Sequence, residues 1–513
     1  MEGQLELESQ AVCDNVKILV ATSEAVPFAK TGGLADVCGA LPVELARLGH
    51  HAALILPLYR QARCSGLAIE PLGIRFIVPI GSKTVAGQLL QTRLAAGGVQ
   101  VPVYLIQQDE YFDREELYRQ NGEDYSDNCE RFIFLSRAVL EVIRLLELDV
   151  DVIHCNDWQT ALVPAYLKIE YHALPRYEQI ASLLTIHNMA YQGVFWHWDM
   201  LLTGLDWKYF NWHQMEFYGK LNLLKTGIVF ADAVTTVSPR YAREIQTPQF
   251  GRGLEGALRN RRDSVSGILN GIDDAVWNPA TDRCVEANYD AQRVAEGKPA
   301  CKAALQRELG LAERRDAPVV GMIGRLDDQK GFDLVAAVIP EWIGRGDVQW
   351  AILGKGEPKY HRLFTDLAHR FPEKVAVRLE FSDVLAHRIE AGADMFLMPS
   401  RFEPCGLNQM YSLKYGTVPV VRETGGLADT VTDATPESLA GGTANGFSFR
   451  EDNAQALSET LARACEVYRR PEVWNRLVAL GMCQDWSWRR SAAQYAELYG
   501  RMVSRARALS LSR

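Results

Sequence analysis

Arg325 and Lys330 stand five residues apart in GRLDDQKG, directly after an apolar run, and such a pair suits a diphosphate. Arginine offers a planar fork to phosphate oxygens, lysine a point charge. In PSRFEPCGLNQ, Glu403 comes two residues before Cys405, followed by Gly406 and Leu407. A carboxylate there is a poor phosphate ligand but a good acceptor for sugar hydroxyls. The amides of Cys405, Gly406 and Leu407, if they open a helix, form an anion site. LLTIHNMAYQG puts His187 and Asn188 at the end of another apolar run, and HCNDWQTAL does the same for Asp157 and Trp158, which we expect to be exposed to a ligand cleft. Thr-Gly-Gly-Leu-Ala-Asp is written twice, behind Lys30 (with Gly33 and Asp36 inside it) and behind Glu423. A Gly-Gly pair lets backbone approach a ligand and present N–H groups at a helix start.

Each stretch also has a plainer reading. The charges are then solvated loop residues, Glu403 a helix-dipole partner, His187 a satisfied structural histidine, and the Gly loops turns left by a domain duplication. Cys405 reads as a packing residue, because no base accompanies it. The segment FWHWD (195–199), with Trp207, Tyr209, Phe210 and Trp212, is unusually aromatic. Such rings stack on sugars or pack a small subdomain.

The elements that would position these residues follow a repeating order. VKILVAT (16–22), a Gly loop, a helix with Leu34, Val37, Leu41, Leu45 and Leu48 on one face, and AALILP (52–57) make a βαβ unit. Further apolar strands are expected at 101–106, 151–157, 182–188 and 233–238, with helices near 128–146 and 159–169. A second series begins at APVVGMIGRL (317–326) and runs through strands at 348–356, 374–381, 394–400 and 418–426, with helices from Gly331 and from about Cys405 to Gly416. Apolar runs of this kind are strands buried on both faces. The fold class is therefore α/β, two doubly wound domains facing each other across a cleft. Residues 1–16 form an acidic N-terminal extension, 17–265 and 266–488 the two Rossmann-like domains, and 489–513 a C-terminal helix crossing back to the first. The junction falls near Arg261 to Asp273, where charged and Gly/Asn-rich residues interrupt the pattern.

The chain has 513 residues, 48% hydrophobic and 23% charged, which suits several globular domains. Its formal net charge of -9 gives a nucleic-acid partner no support. Ten cysteines are scattered without a C-x-x-C pair, against a disulfide framework or zinc ribbon. The N-terminus resembles neither a signal nor a transit peptide, and no apolar run approaches the roughly 18 residues of a membrane span. A soluble intracellular protein with no membrane partner is expected.

Together these motifs resemble the bacterial glycogen synthases and plant starch synthases, retaining glycosyltransferases of the GT-B fold. The resemblance runs from about Lys17 to about Tyr499. It rests on KTGGLADV, HCNDWQTAL, TIHNMAYQG, TVSPRYAREIQTPQFGRGLEG, GILNGID, GRLDDQKG, PSRFEPCGLNQ and ETGGLADTV in order. It implies transfer of glucose from ADP-glucose to the non-reducing 4-OH of an α-1,4-glucan, with no cofactor beyond the donor. By the same resemblance Lys30, Arg325 and Lys330 hold the diphosphate, beside Gly33 and the amides of Gly406 and Leu407. Glu403 holds glucose hydroxyls and His187 lies against the anomeric centre. Asp36, Asp157, Asn188, Asn270 and Cys405 match further cleft positions, Trp158 an acceptor-side one, and Phe381 an adenine-stacking aromatic. The lysine Gly loop would serve the donor diphosphate and acceptor side, the glutamate loop the border of the nucleotide-sugar.

Charge development agrees with this assignment. Breaking the anomeric C–O bond leaves negative charge on the departing diphosphate, which fixed cations and amides stabilise, so no metal site is expected. The D-x-D at Asp149–Asp151 runs into a strand and is not read as one. With no evident carboxylate nucleophile, the expected mechanism is a same-face displacement. Many retaining relatives carry a second glutamate eight residues after the first; here Tyr411 stands there, as in the synthase branch. Asn156 and Gln159 stand where some members have His. The rival readings are a GT-B transferase using UDP-glucose and a catalytically silent glucan-binding homologue. A dinucleotide-dependent dehydrogenase would need G-x-G-x-x-G after the first strand, which TSEAVPFAKTGG does not supply. The compartment implied is the bacterial cytoplasm, or a plastid for a trimmed plant or algal enzyme.

Overall fold

Largely apolar runs that are buried almost throughout, such as Lys17–Ala21 and Ala181–Ile186, become inner strands of a parallel sheet, where both faces are covered. A computed structural model describes residues 15–346 and 348–511 of the protein. Residues 1–14 of the acidic extension, and Arg513, lie outside the described residues. The rest divides into two compact units. One runs to Val237, resumes over Ala242–Ile268 and is completed from Trp488 onward; the other comprises Ser238–Tyr241 and Leu269–Ser487.

The first unit holds a nine-stranded sheet. Its order is Val265–Gly267, Ala233–Thr236, Ala181–Ile186, Val152–Asn156, Lys17–Ala21, His51–Pro57, Val99–Gln107, Lys83–Ala96, Glu70–Ile80. Seven strands are parallel; Ile18, for example, sits opposite both Ala52 and Val152. The last two form a long antiparallel hairpin at the edge. It lies outside the strands expected from apolar runs, because wet residues, two prolines and a glycine interrupt the apolar ones along Glu70–Ile80. Helix Gly33–Arg47 buries Leu34, Val37, Cys38, Leu41 and Leu45 against the sheet. The terminal helix Trp488–Leu511 joins the same core through Ala492, Tyr495 and Tyr499. Tyr499 Oη lies 2.8 Å from His154 Nδ1, which ties that helix to the fourth strand of the order.

In the second unit six parallel strands run Val375–Arg378, Gln349–Leu353, Val319–Ile323, Met395–Met398, Val418–Arg422, Phe447–Phe449. Trp350, Val335, Leu397, Val420 and Leu461 lie at the centre of its core.

Two expected helices differ. The stretch 159–169 is broken into Asp157–Thr160, Val163–Tyr166 and a π-turn over Leu167–Tyr171. Pro164 lacks the N–H that a continuous helix would bond to Thr160. The helix expected from Cys405 starts at Asn408, since Gly406 at φ +72 leaves the right-handed region. Among the described residues, no helix is long and apolar enough to cross a membrane.

Candidate functional site

In the second unit the loop after strand Val319–Ile323 carries both cations. Asp327 organises it: its carboxylate pairs with Arg325 and accepts from the Lys330 amide at 3.0 Å. Arg325 also donates to Gln329 Oε1 at 2.9 Å and points to solvent. Lys330 turns inward, its Nζ 2.6 Å from Glu403 Oε2. Ser400 Oγ donates to the same oxygen at 3.0 Å. Glu403 is buried, so this charge is held by a cation and a hydroxyl, as a buried carboxylate must be. Lys330, Ser400, Glu403, Gly406, Leu407 and Asn408 line one cavity of about 250 Å³.

Behind this loop lies the second Gly-Gly pair. Gly426 N donates to the carbonyls of Glu403 and Pro404 at 3.1 and 3.2 Å. The Cys405 thiol is buried and pushed up to about 12 by burial, which makes it inert at neutral pH and fits a packing role. Gly406 and Leu407 precede the helix rather than opening it, so their amides belong to a loop. Asn270 is buried beside Cys405, and its Oδ1 finds no hydrogen-bond partner among the described residues. Phe381 projects into solvent with 82% of its surface exposed and does not line the cavity. Tyr411 stacks on Trp277 with ring centroids 3.9 Å apart.

In the first unit, the Lys30 loop is held from below by a residue the motifs did not flag. Glu24, buried just past the first strand, accepts from Thr31 N at 2.5 Å, Thr31 Oγ1 at 2.6 Å and Tyr118 Oη at 2.7 Å. A carboxylate directly after a strand was its one visible signal. Lys30 Nζ sits 2.8 Å from Asp36, and both are open to solvent. Gly33 begins the helix with no atom within 4 Å of where a Cβ would stand.

His187, Asn188 and Asp157 come together at two neighbouring strand ends. Asp157 Oδ1 accepts from the His187 amide at 2.7 Å. His187 Nε2 lies 2.9 Å from Asn156 Oδ1. The Asn156 amide donates to the carbonyls of Ala21 and His154, which fixes Oδ1 as the acceptor. His187 therefore carries its proton on Nε2 and keeps Nδ1 as a lone pair. Burial pushes its pKa down to about 3, so the ring is neutral at ordinary pH. Burial also pushes the Asp157 carboxyl up to about 7, against amide hydrogen bonds from His187 and Asn188.

Asp157 and Trp158, expected to be exposed, are both buried. Trp158 packs edge-on to Phe132 at 4.8 Å, with Phe195 at 5.7 Å and Tyr118 at 6.5 Å. These partners come from other segments and enclose it. The aromatic stretch departs the other way: Trp196, Trp198, Trp207 and Trp212 are exposed, not the core of a packed subdomain.

Asp149 and Asp151 serve the fold, pairing with the Lys17 side chain and capping its amide. Among the described residues one group has the side-chain types of a metal site, Asp282, Cys284 and His387. Asp282 already accepts from Tyr415 at 2.6 Å and lies 2.7 Å from His387 Nδ1, whose ring stacks on Trp277.

The family model described as "Starch synthase catalytic domain" matches residues 17–260, and "Glycosyl transferases group 1" matches 309–476. Curated glycogen synthases are similar over nearly the whole length. That of Rhodopirellula baltica is 48% identical over 95% of this chain and 98% of its own. That of Syntrophotalea carbinolica is 47% identical over 95% and 99%. Among solved structures, the catalytic domain of starch synthase IV from Arabidopsis thaliana, bound to ADP and acarbose, superposes with a TM-score of 0.86 at 34% identity, covering 96% of this chain and all of that one.

Proposed function

This chain belongs to the glycogen and starch synthase family of glycosyltransferases with the GT-B fold, and on that premise we propose that it moves glucose from ADP-glucose to the non-reducing 4-OH of an α-1,4-glucan with retention. The observation that carries the reading is Lys330 held at 2.6 Å by the buried Glu403 on the wall of a cavity. Lys330 and Arg325 would neutralise the diphosphate as the anomeric C–O bond breaks, helped by Lys30 and by the amides of Gly33, Gly406 and Leu407. Interactions that strengthen as charge develops are those that accelerate the step. Glu403 would exchange part of its bond with Lys330 for glucose hydroxyls, and Asn270 and Asp36 would meet further polar groups.

Neutral His187 suits a site beside a carbon that becomes positive, since a protonated ring would repel it. Asp157, buried and held largely protonated below about pH 7, is a poor nucleophile. That supports a same-face displacement in which the departing phosphate takes the proton of the incoming hydroxyl. The ADP bound to the Arabidopsis neighbour supports an adenine nucleotide donor, with Phe381 free to stack on the base. Cys405 supports the loop, and Trp158 shapes the acceptor side from within the core. The net charge of -9 supports no nucleic-acid partner, and the bacterial relatives support a cytoplasmic enzyme.

Nucleotide release from ADP-glucose and from UDP-glucose, with and without glycogen, tests the proposal. Glycogen-dependent ADP release with UDP-glucose far slower is expected. Preferential turnover of UDP-glucose would move the enzyme to another donor class, and glucan binding without turnover of either would make it a silent homologue.

A further inference from the structure

Four indoles on one short segment of the first unit face water: Trp196 is 62% exposed, Trp198 48%, Trp207 41% and Trp212 69%. Large apolar rings left in solvent together mark a surface that something covers. Three of them form a row. Ring centroids lie 6.4 Å apart from Trp196 to Trp198, 5.5 Å from Trp198 to Trp207 and 5.0 Å from Trp207 to Phe210. Successive planes are inclined by 69°, 39° and 35°, so the rings do not form one flat stack. His197 sits between the first two indoles at 5.4 and 5.3 Å. Asp206 and Asn211 hold the turn through bonds to the Lys208 backbone, and the Lys208 ammonium lies 5.1 Å over the Tyr209 ring beside the others.

The row is rigidly mounted. Met200 and Thr203 beneath it are fully buried, and the Thr203 carbonyl accepts from Arg137 at 2.6 Å and Tyr166 at 2.9 Å. Gly81 at the tip of the edge hairpin donates to Leu202 O at 3.0 Å. Asp206 accepts from Lys208 N at 2.8 Å and fixes the turn that carries Trp207. The row is also continuous with the interior, since Phe195, the residue before Trp196, packs on Trp158.

We propose that Trp196, Trp198 and Trp207 form a docking ramp for an α-glucan chain, separate from the groups that act on the donor. The inference rests on the reading of the acceptor as a glucan. A pyranose ring has a face of C–H bonds and an edge of hydroxyls. Indoles interleaved with His197 and Lys208 match that alternation, covering the one and hydrogen-bonding the other. A contact between two copies of the protein would favour a continuous apolar face, and here polar side chains interrupt it. The ramp would hold an outer branch of a large particle, keeping its ends close to the enzyme between turnovers.

Retardation in native gels containing glycogen, with no donor present, measures this binding directly. Trp196→Ala/Trp198→Ala should raise the apparent Kd for glycogen about tenfold, from the apolar area no longer covered. Turnover of maltotriose, a short acceptor, should stay at the wild-type level. Trp196→Tyr/Trp198→Tyr should restore much of the retardation, and Trp212→Ala, whose ring meets His213 instead of the row, should leave it intact. An unchanged Kd in the double alanine variant overturns the proposal. So does a parallel loss of maltotriose turnover, which would put the rings in the reaction site itself. Retardation needs no turnover, so failure to use ADP-glucose would refute the proposed reaction and leave this measurement standing.

Discussion

Around Gly32 and Gly33 there is open space, with no atom within 4 Å of either notional Cβ; around Gly425 and Gly426 there is none. A Cβ on Gly425 would stand 1.9 Å from the Glu403 carbonyl oxygen, and one on Gly426 2.0 Å from that of Cys405. The same six letters thus make an open loop in one unit and a buried brace in the other. The first copy spends its Thr31 and Gly32 amides on the Glu24 carboxylate and starts a helix of 15 residues. The second starts a helix of six and spends its Gly426 amide on the backbone of the Glu403 loop. Glu423, expected at the border of the nucleotide-sugar, is tied to Arg450 at 2.6 Å. What distinguishes the copies is what lies against them, not their own residues.

The sharpest way to break this comparison is Gly425→Ala. Its φ of +46 and the Glu403 carbonyl both exclude a side chain. Left-handed strain and overpacking together should remove about 3 kcal/mol or more of stability. Because the displaced atoms carry Glu403, turnover should fall as well. Gly33→Ala should hold or slightly raise the melting temperature, since alanine is favoured over glycine by about 0.5–1 kcal/mol inside a helix. Equal losses of melting temperature in the two variants would dissolve the distinction.

Next in size is the contrast between two lysines. Lys330 is half-buried on a buried carboxylate, whereas Lys30 is exposed on Asp36. Removing one preorganised charge-stabilising group typically lowers kcat by about 10²–10³. Lys330→Ala should reach that range in ADP-glucose turnover and should also destabilise the fold, because Glu403 keeps only Ser400. Glu403→Gln should lower turnover with less loss of stability, since an amide tolerates burial better than an unpaired charge. A Lys330→Ala enzyme within threefold of wild type would remove Lys330 from the site.

Titration gives an intermediate effect, confined to the first unit. Burial pushes His154 and His187 down to about 3, with His187 adding to the shift of His154. The unfolded chain protonates both below about 6.5 and the folded one does not. Their contribution is therefore complete above about 6.5 and lost as pH falls toward 3. Asp157, pushed up to about 7, opposes them: stability is lost as pH rises from about 4 to 7. Two groups outweigh one, and the net loss from pH 6.5 to 5 should be about 1–2 kcal/mol. Hydrogen-exchange protection of the strand Ala181–Ile186 reads it, and Asp157→Asn should steepen the slope. An unchanged slope in that variant would mean that Asp157 is ionised in the fold.

The inner strands could be read from sequence because burial on both faces keeps most of the run apolar, as in Ala181–Ile186 and Val418–Arg422. The edge hairpin Glu70–Ala96 could not, because one of its faces is wet. Lys330 and Glu403 were visible as charges at strand ends. Their mutual bond was not, since it joins positions 73 residues apart. Glu24 escaped notice for the same reason: its partner Tyr118 lies 94 residues away. The enclosure of Trp158 depends on Phe132 and Phe195, which no local pattern links to it. Local sequence therefore reports which charges exist, and packing between distant segments decides which are buried, paired or free to meet a ligand.

The smallest expected effect tests the two flanking charges. Lys30 and Glu423 occupy the same position of the repeat, and each already has one partner of opposite charge. Ion pairs open to solvent contribute only about 0–1 kcal/mol, so neither substitution to alanine should move the melting temperature by more than a degree or two. Turnover should separate them. Lys30 can exchange Asp36 for a phosphate oxygen of equal charge, so Lys30→Ala should lower kcat/KM for ADP-glucose about tenfold, a charge-assisted bond of about 1.5 kcal/mol. Glu423 offers a diphosphate nothing but repulsion, and Arg450 already neutralises it, so Glu423→Ala should stay within about twofold. If both variants lost activity alike, the two copies would share one role, and open space around the first would have no bearing on the reaction.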